Sequence, residues 1–153
     1  MDIALYQPEI PQNTAAILRT AGCLGAGVHL VGAPAFDLST RAARRAGLDY
    51  VATVPIQRHA TFADLRAAVA GRIVLFTTHA DLVLTDASFG FDDTLLFGRE
   101  GSGVPTAIHD SADERVRIPL VAGARSLNLA VAVGIGLMGA LNASGALARK
   151  GLR

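Results

Sequence analysis

Tryptophan is absent from the 153 residues, aromatics of any kind are scarce, and cysteine occurs once, at position 23. A single thiol excludes a disulfide framework and any cluster of thiolates around a metal. Lysine is nearly missing too: thirteen of the fourteen basic residues are arginine, and the formal net charge is only +1. That balance excludes a strongly basic nucleic-acid scaffold while leaving room for a local basic face. Arginine offers a planar fork for phosphates and carboxylates where lysine offers a point charge. A GC-rich genome is an equally simple source of the same bias. No apolar run reaches the ~20 residues of a membrane span; the longest, 127–141, is interrupted by Asn128 and by glycines. No charged n-region followed by an apolar h-region opens the chain, so no secretory leader is expected. His29, His59, His79 and His109 lack ligand spacing, and no acidic cluster suggests magnesium, so no metal is expected. The expectation is one domain over 1–153, cytoplasmic and off the membrane.

What is present is alternation. DIALY (2–6), VHLVG (28–32), RIVLFTT (72–78), TLLFG (94–98) and RVRIPL (115–120) read as strands. NTAAILRTAGCLG (13–25) reads as a helix with Asn13 as N-cap and Gly25 or Gly27 as its stop. STRAARRAG (39–47) sets Arg41, Arg44 and Arg45 at helical spacing, and TFADLRAAVAG (61–71) runs from a Thr61 cap to a Gly71 stop. A last helix is expected from near Leu127 to about Ala148, apolar on most faces and therefore buried in the core or against a partner. Such alternation predicts an α/β fold, a mostly parallel sheet with helices on both faces. Ligands of these sheets sit beyond the carboxyl ends of the strands.

One of those ends carries LLFGREGSGVP (95–105). A phosphate loop of the Walker type needs Lys and Ser/Thr after its second glycine, and Val104 and Pro105 stand there instead. A dinucleotide fingerprint starting at Gly101 and Gly103 fails at Thr106, where its third glycine belongs. A plain turn is the simplest account. Against it stands Glu100, one carboxylate among glycines that let main-chain N–H groups approach a ligand closely. A cationic ligand suits that loop better than a phosphate.

Three segments then appear in order: P-x-N-x-x-x-x-x-R (Pro11 to Arg19), F-G-R-E-G-S-G-V-P (97–105), and R-I-P-L followed by R-S-L-N-L (117–129). Together they resemble the SPOUT superfamily of trefoil-knotted, AdoMet-dependent RNA methyltransferases, nearest to the minimal branch that 2′-O-methylates the wobble nucleotide of tRNA. RRAGLDY (44–50) and the dipeptide at 58–59 match that branch as well. The resemblance implies a C-terminal trefoil knot; threaded chains are nearly absent from proteins, and this superfamily is among the exceptions. It implies a pocket for AdoMet lined by Phe76, Thr77, Gly98, Glu100, Gly103, Ile118 and Leu120 and closed by Ser126 and Leu127.

It also implies roles. Arg19 would hold a neighbouring phosphate and stabilise the developing alkoxide, because a guanidinium keeps its proton at neutral pH. Asn13 is either a helix cap or an organiser of the loop near substrate. Glu100 orients the knot loop by accepting N–H bonds or meets substrate or cofactor. Ser126 and Asn128 either cap the last helix or lie beside cofactor and target nucleotide. From the residues themselves, Arg41, Arg44, Arg45 and Arg58 are candidates for phosphate contact or equally solvated helix-face charges, and Phe36, Tyr50, Phe89 and Phe91 are stacking platforms where they are not core. The implied substrate is a tRNA anticodon stem-loop rather than DNA. The implied assembly is a homodimer through the last and first helices, each site completed by the second subunit. Related chains carry a tyrosine on the last helix, where this one has Met138 or a glycine. Two other classes stay open at this point: an RNA-binding dimer without catalysis, and a small nucleotide-phosphate binder.

Overall fold

The computed structural model describes residues 1–36, 54–149 and 151. The strands are β1 (Asp2–Tyr6), β2 (Val28–Val31), β3 (Ile56–His59), β4 (Ile73–Phe76), β5 (Thr94–Phe97) and β6 (Glu114–Val116). The helices are α1 (Pro11–Leu24), α2 (Phe62–Ala68), α3 (Thr106–Ser111), α4 (Leu129–Ala143) and α5 (Ala146–Arg149). All six strands join one parallel sheet in the order β3-β2-β1-β5-β4-β6. Ile3 of β1 pairs with Val28 on one side and Leu95 on the other, so β1 and β5 form the seam where the chain changes direction across the sheet. Ligand crevices in open parallel sheets form at such a reversal.

The pleat sends alternate residues to opposite faces. Ile3, Leu5, Val28, Leu30, Leu95 and Phe97 face a core built with Ile17, Leu18 and Ala21 of α1 and Val133, Leu137 and Leu141 of α4. Ala4, Val31, Ile73, Leu75 and Leu96 face the other way, onto Leu65 of α2 and the partly buried Ile108 of α3. Both faces are thus covered, as the alternation predicts. Each fully buried Leu or Ile contributes roughly 1.5–3 kcal/mol by leaving water, which is why the interior of the strands tolerates so little polarity.

Several boundaries differ from the sequence reading, each for a local reason. Helix α1 begins at Pro11 with Ile10 as N-cap. Proline suits a first turn because its missing N–H would have no partner there. Asn13 is therefore inside the first turn and is not the cap; its side chain is free for other work. Gly25 does end α1, at φ 64°, as expected. Thr61 caps α2 through a reciprocal pair with Asp64, yet the helix ends at Val69 and not at Gly71. A Cβ at Gly71 would lie 2.1 Å from the Asp92 carbonyl oxygen, so this glycine serves a close chain crossing. Strand β6 stops at Val116, short of the expected 120; Pro119 can give no ladder N–H. The last helix starts at Leu129, capped by the Asn128 side chain, and breaks at Ser144–Gly145 before α5. Strand β3 and helix α3 went unread. Gln57 and Arg58 give β3 little apolar pattern because it is an edge strand, and α3 is only six residues long. The helix expected over 39–47, with Arg41, Arg44 and Arg45, lies outside the described residues, as does Tyr50.

Candidate active site

Beyond the carboxyl ends of β4 and β5 lies a cavity of about 630 Å³, within the range usual for small-molecule sites. Its floor is apolar: the Phe76 and Phe97 rings stack with centroids 4.8 Å apart. Helix α4 can approach that stack because position 136 is glycine; a Cβ there would sit 2.9 Å from the Phe76 ring. The rim is main chain. Arg99 and Gly103 exchange two backbone hydrogen bonds, of 3.0 and 3.1 Å, and close residues 99–103 into a tight hairpin. A Cβ at Gly98 would lie 2.4 Å from the Gly103 carbonyl carbon, so only glycine lets the hairpin fold back at this point. Across the cavity, Arg117 bonds through its backbone to Leu82 and Leu84, and the segment that follows brings Ile118, Leu120, Ser126 and Leu127 to the opening.

A chain of side-chain bonds ties these parts together. One Glu100 carboxylate oxygen accepts from the Glu9 N–H at 2.9 Å; the other accepts from the Ile10 N–H at 3.3 Å and the Asn13 amide at 3.0 Å. Glu9 answers by accepting from the Gly101 N–H at 3.0 Å. The Asn13 side-chain oxygen accepts from the Asn128 amide at 2.9 Å. Asn128 in turn accepts from the Ala130 and Val131 N–H groups and so caps α4. The carboxylate of Glu100 also lies at the start of α1, where the helix dipole favours negative charge.

Of the residues singled out in the sequence, Asn13, Phe76, Thr77, Gly98, Glu100, Gly103, Ile118, Leu120, Ser126, Leu127 and Asn128 all line this one cavity. Glu100 does accept main-chain N–H bonds, one of the two roles left open for it, but from Glu9 and Ile10 at the start of α1. With both oxygens engaged there, the carboxylate is not a free anionic group facing a ligand. Asn128 takes the first of the roles left open for it, as cap of α4, and it also lines the cavity. Arg19 is exposed on α1 and is not among the lining residues; Arg58 is exposed on the edge strand β3, away from the cavity. Phe89 is core, stacked near Phe76, and Phe91 is exposed beneath the Arg149 guanidinium. Sequence reasoning passed over Arg99, Glu9 and His79. Arg99 and His79 also line the cavity, and Glu9 anchors its hairpin. Arg99 was visible inside the glycine motif; His79 carries no local pattern.

The chemistry of the lining suits a ligand with an apolar, planar part and a polar end: an aromatic floor, a main-chain rim, and few side-chain charges. Among the described residues a phosphate-rich nucleotide would find one arginine, Arg99. The groups whose titration is displaced lie elsewhere. The Asp2 carboxyl is held down at about 2, chiefly by its hydrogen bond to His29, and burial lowers His59.

Residues 1–138 match the SpoU rRNA Methylase family. Over 150 residues the chain is 47% identical to a tRNA (cytidine(34)-2'-O)-methyltransferase of Beijerinckia indica subsp. indica, a match spanning 96% of this chain and 94% of that one. A structure solved for insight into the 2-OH methylation of C/U34 on tRNA superposes with a TM-score of 0.88 at 38% identity, over 95% of this chain and 96% of the other. An AdoMet-bound rRNA methyltransferase from Sinorhizobium meliloti superposes at 0.83 with 31% identity, over 92% of this chain and 55% of that longer one. Fold, motif order and full-length similarity agree, and the chain belongs to the SpoU rRNA Methylase family.

Proposed function

We propose that this protein transfers a methyl group from AdoMet to the ribose 2′-oxygen of nucleotide 34, cytidine or uridine, in tRNA. The observation that carries the reading is the convergence of Asn13, Glu100, Ser126 and Asn128 on one cavity, in a chain similar along its length to a tRNA (cytidine(34)-2'-O)-methyltransferase. The glycine hairpin and the aromatic floor fit AdoMet, with Phe76, Thr77, Gly98, Gly103, Ile118, Leu120, Ser126 and Leu127 holding it. Bound there, AdoMet supplies an electrophilic methyl on a sulfonium. No metal enters this reading.

The protein's own part is positioning and charge stabilisation. A ribose hydroxyl is a weak nucleophile. The Glu100–Asn13–Asn128 chain fixes the hairpin, the start of α1 and the start of α4 in one arrangement, so the two walls of the cavity keep their spacing. Arg19 steadies the oxygen as negative charge develops and holds a neighbouring phosphate, without serving as a base. Its exposure on α1 accords with a role at the site of a second subunit. A homodimer is supported by Val131, Ile135 and Met138, an exposed apolar stripe on α4, each more than two-fifths exposed. The trefoil threading of the C-terminal segment, the anticodon stem-loop as the RNA recognised, and a cytoplasmic location belong to the same reading. Among the described residues no helix is long and apolar enough to cross a membrane.

Mapping ribose methylation in tRNA from a strain lacking the gene tests the proposal. Loss of methylation at nucleotide 34 alone supports it; an unchanged tRNA with a loss in ribosomal RNA replaces it with a different substrate.

A further inference from the structure

We infer that Arg99 grips a phosphate of the substrate RNA at the mouth of the cavity, an inference that rests on the RNA-directed reading above. Arg99 is the one arginine, among the described residues, that lines the cavity. Among the described residues its side chain has no hydrogen bond and no ion pair, and its Nε atom is buried without any partner. Three other arginines here are engaged, Arg66 with Asp113, Arg72 with Asp93, and Arg115 with the His109 carbonyl; Arg99 differs from the remaining arginines in standing at the cavity wall. An arginine left unpaired at a cavity wall is a vacant bidentate donor, and planar bidentate recognition of phosphate is what this side chain does best.

Position decides which anion. The Arg99 guanidinium lies 5.9 Å from the centroid of the Tyr6 ring, at the carboxyl end of β1. Strand β5 lies between β1 and β4, so this places the charge across the hairpin from the Phe76–His79 wall and on the side of β1, which leads into α1. The start of α1 carries Asn13, and Arg19 follows on the same helix. Glu100, next in sequence, cannot neutralise Arg99, because its carboxylate is turned to Glu9, Ile10 and Asn13. The backbone of Arg99 is fixed by its two bonds to Gly103, so the side chain projects from a rigid base. Phosphate contacts of this kind set the register of a nucleic acid without reading its bases.

The test compares wild type, Arg99→Ala and Arg99→Lys in binding a fluorescent anticodon stem-loop over a range of salt, with AdoMet affinity measured in parallel by calorimetry. Arg99→Ala is expected to weaken RNA binding about tenfold at low salt and to flatten the plot of log Kd against log salt by roughly 0.7–0.9, with AdoMet affinity unchanged. Arg99→Lys is expected to keep the wild-type slope and recover part of the affinity. An unchanged slope in Arg99→Ala overturns the inference. Weakened AdoMet binding with an unchanged slope reassigns Arg99 to the donor's carboxylate and overturns it too. Because binding is read without turnover, a wild-type protein that binds RNA but transfers no methyl would sink the functional reading and leave this one standing.

Discussion

The side-chain amide of Asn128 donates to the side-chain oxygen of Asn13 at 2.9 Å, joining the starts of two helices 115 positions apart. Asn13 passes the connection on to Glu100, and Glu100 to the backbone of Glu9 and Ile10. Three loops at the carboxyl edge of the sheet are thereby held by one hydrogen-bonded chain. Such chains act as units, so removing one member disturbs the others.

Asn128 separates capping from coupling. Asn128→Asp keeps an acceptor for the Ala130 and Val131 N–H groups but loses the donor to Asn13. Unfolding by urea is expected to show a loss within about 1 kcal/mol, the scale of a retained cap, while methyl transfer falls at least tenfold. Asn128→Ala loses both contacts and is expected to cost about 1–2 kcal/mol further in stability.

Glu100→Gln offers one oxygen where the carboxylate offers two, and turns an NH₂ group toward main-chain N–H donors. A loss of about 1.5–3 kcal/mol is expected, the value of hydrogen bonds to a charged acceptor. Amide exchange at Glu9, Ile10 and Gly101 checks it: these sites are expected to lose protection before the core strands do.

Gly98→Ala drives a methyl group to 2.4 Å from the Gly103 carbonyl carbon. The hairpin must shift, because the obstacle is backbone. Calorimetric titration with AdoMet is expected to show affinity reduced more than tenfold, while circular dichroism at the far-ultraviolet bands stays close to wild type.

The pH dependence of stability follows from groups remote from the cavity. Hydrogen bonding to His29 holds the folded Asp2 carboxyl at about 2, below its usual 3.8. A depressed carboxyl contributes stability that is present above its unfolded value and lost as pH falls through the folded one. Stability is therefore expected to decline between about pH 4 and 2, and to decline less steeply in Asp2→Asn. His59 is buried 2.8 Å from the His29 ring and its protonation is disfavoured. The unfolded chain binds that proton more readily, so stability also falls as pH drops below the ordinary histidine range near 6.5. Melting temperatures of wild type and His59→Gln across this window measure the difference.

The strands were legible because their apolar runs are short, dense and bounded by glycine or polar residues. Asp2–Tyr6, Val28–Val31 and Thr94–Phe97 fall where the pattern puts them. Strand β3 was hidden by its edge position, since an edge strand with Gln57 and Arg58 outward need not look hydrophobic. Nine of the predicted cavity residues came from the ordered motifs and not from periodicity, which cannot bring position 13 next to positions 100 and 128. The partner of Asn13 was likewise invisible: the N-cap preference of asparagine pointed to a local bond, and Pro11 had already started the helix one turn earlier. The unpaired state of Arg99 is a property of three-dimensional surroundings, so no sequence pattern could announce it.

Transfer of labelled methyl to a synthetic anticodon stem-loop, read by mass spectrometry of its fragments, bears on the central claim most directly. The account predicts one methyl on the fragment holding nucleotide 34, none when that nucleotide is 2′-deoxy, and none from Arg19→Ala despite normal AdoMet binding. Methyl gain on the 2′-deoxy RNA, or an unmodified RNA from a protein that binds both AdoMet and the stem-loop, would contradict it.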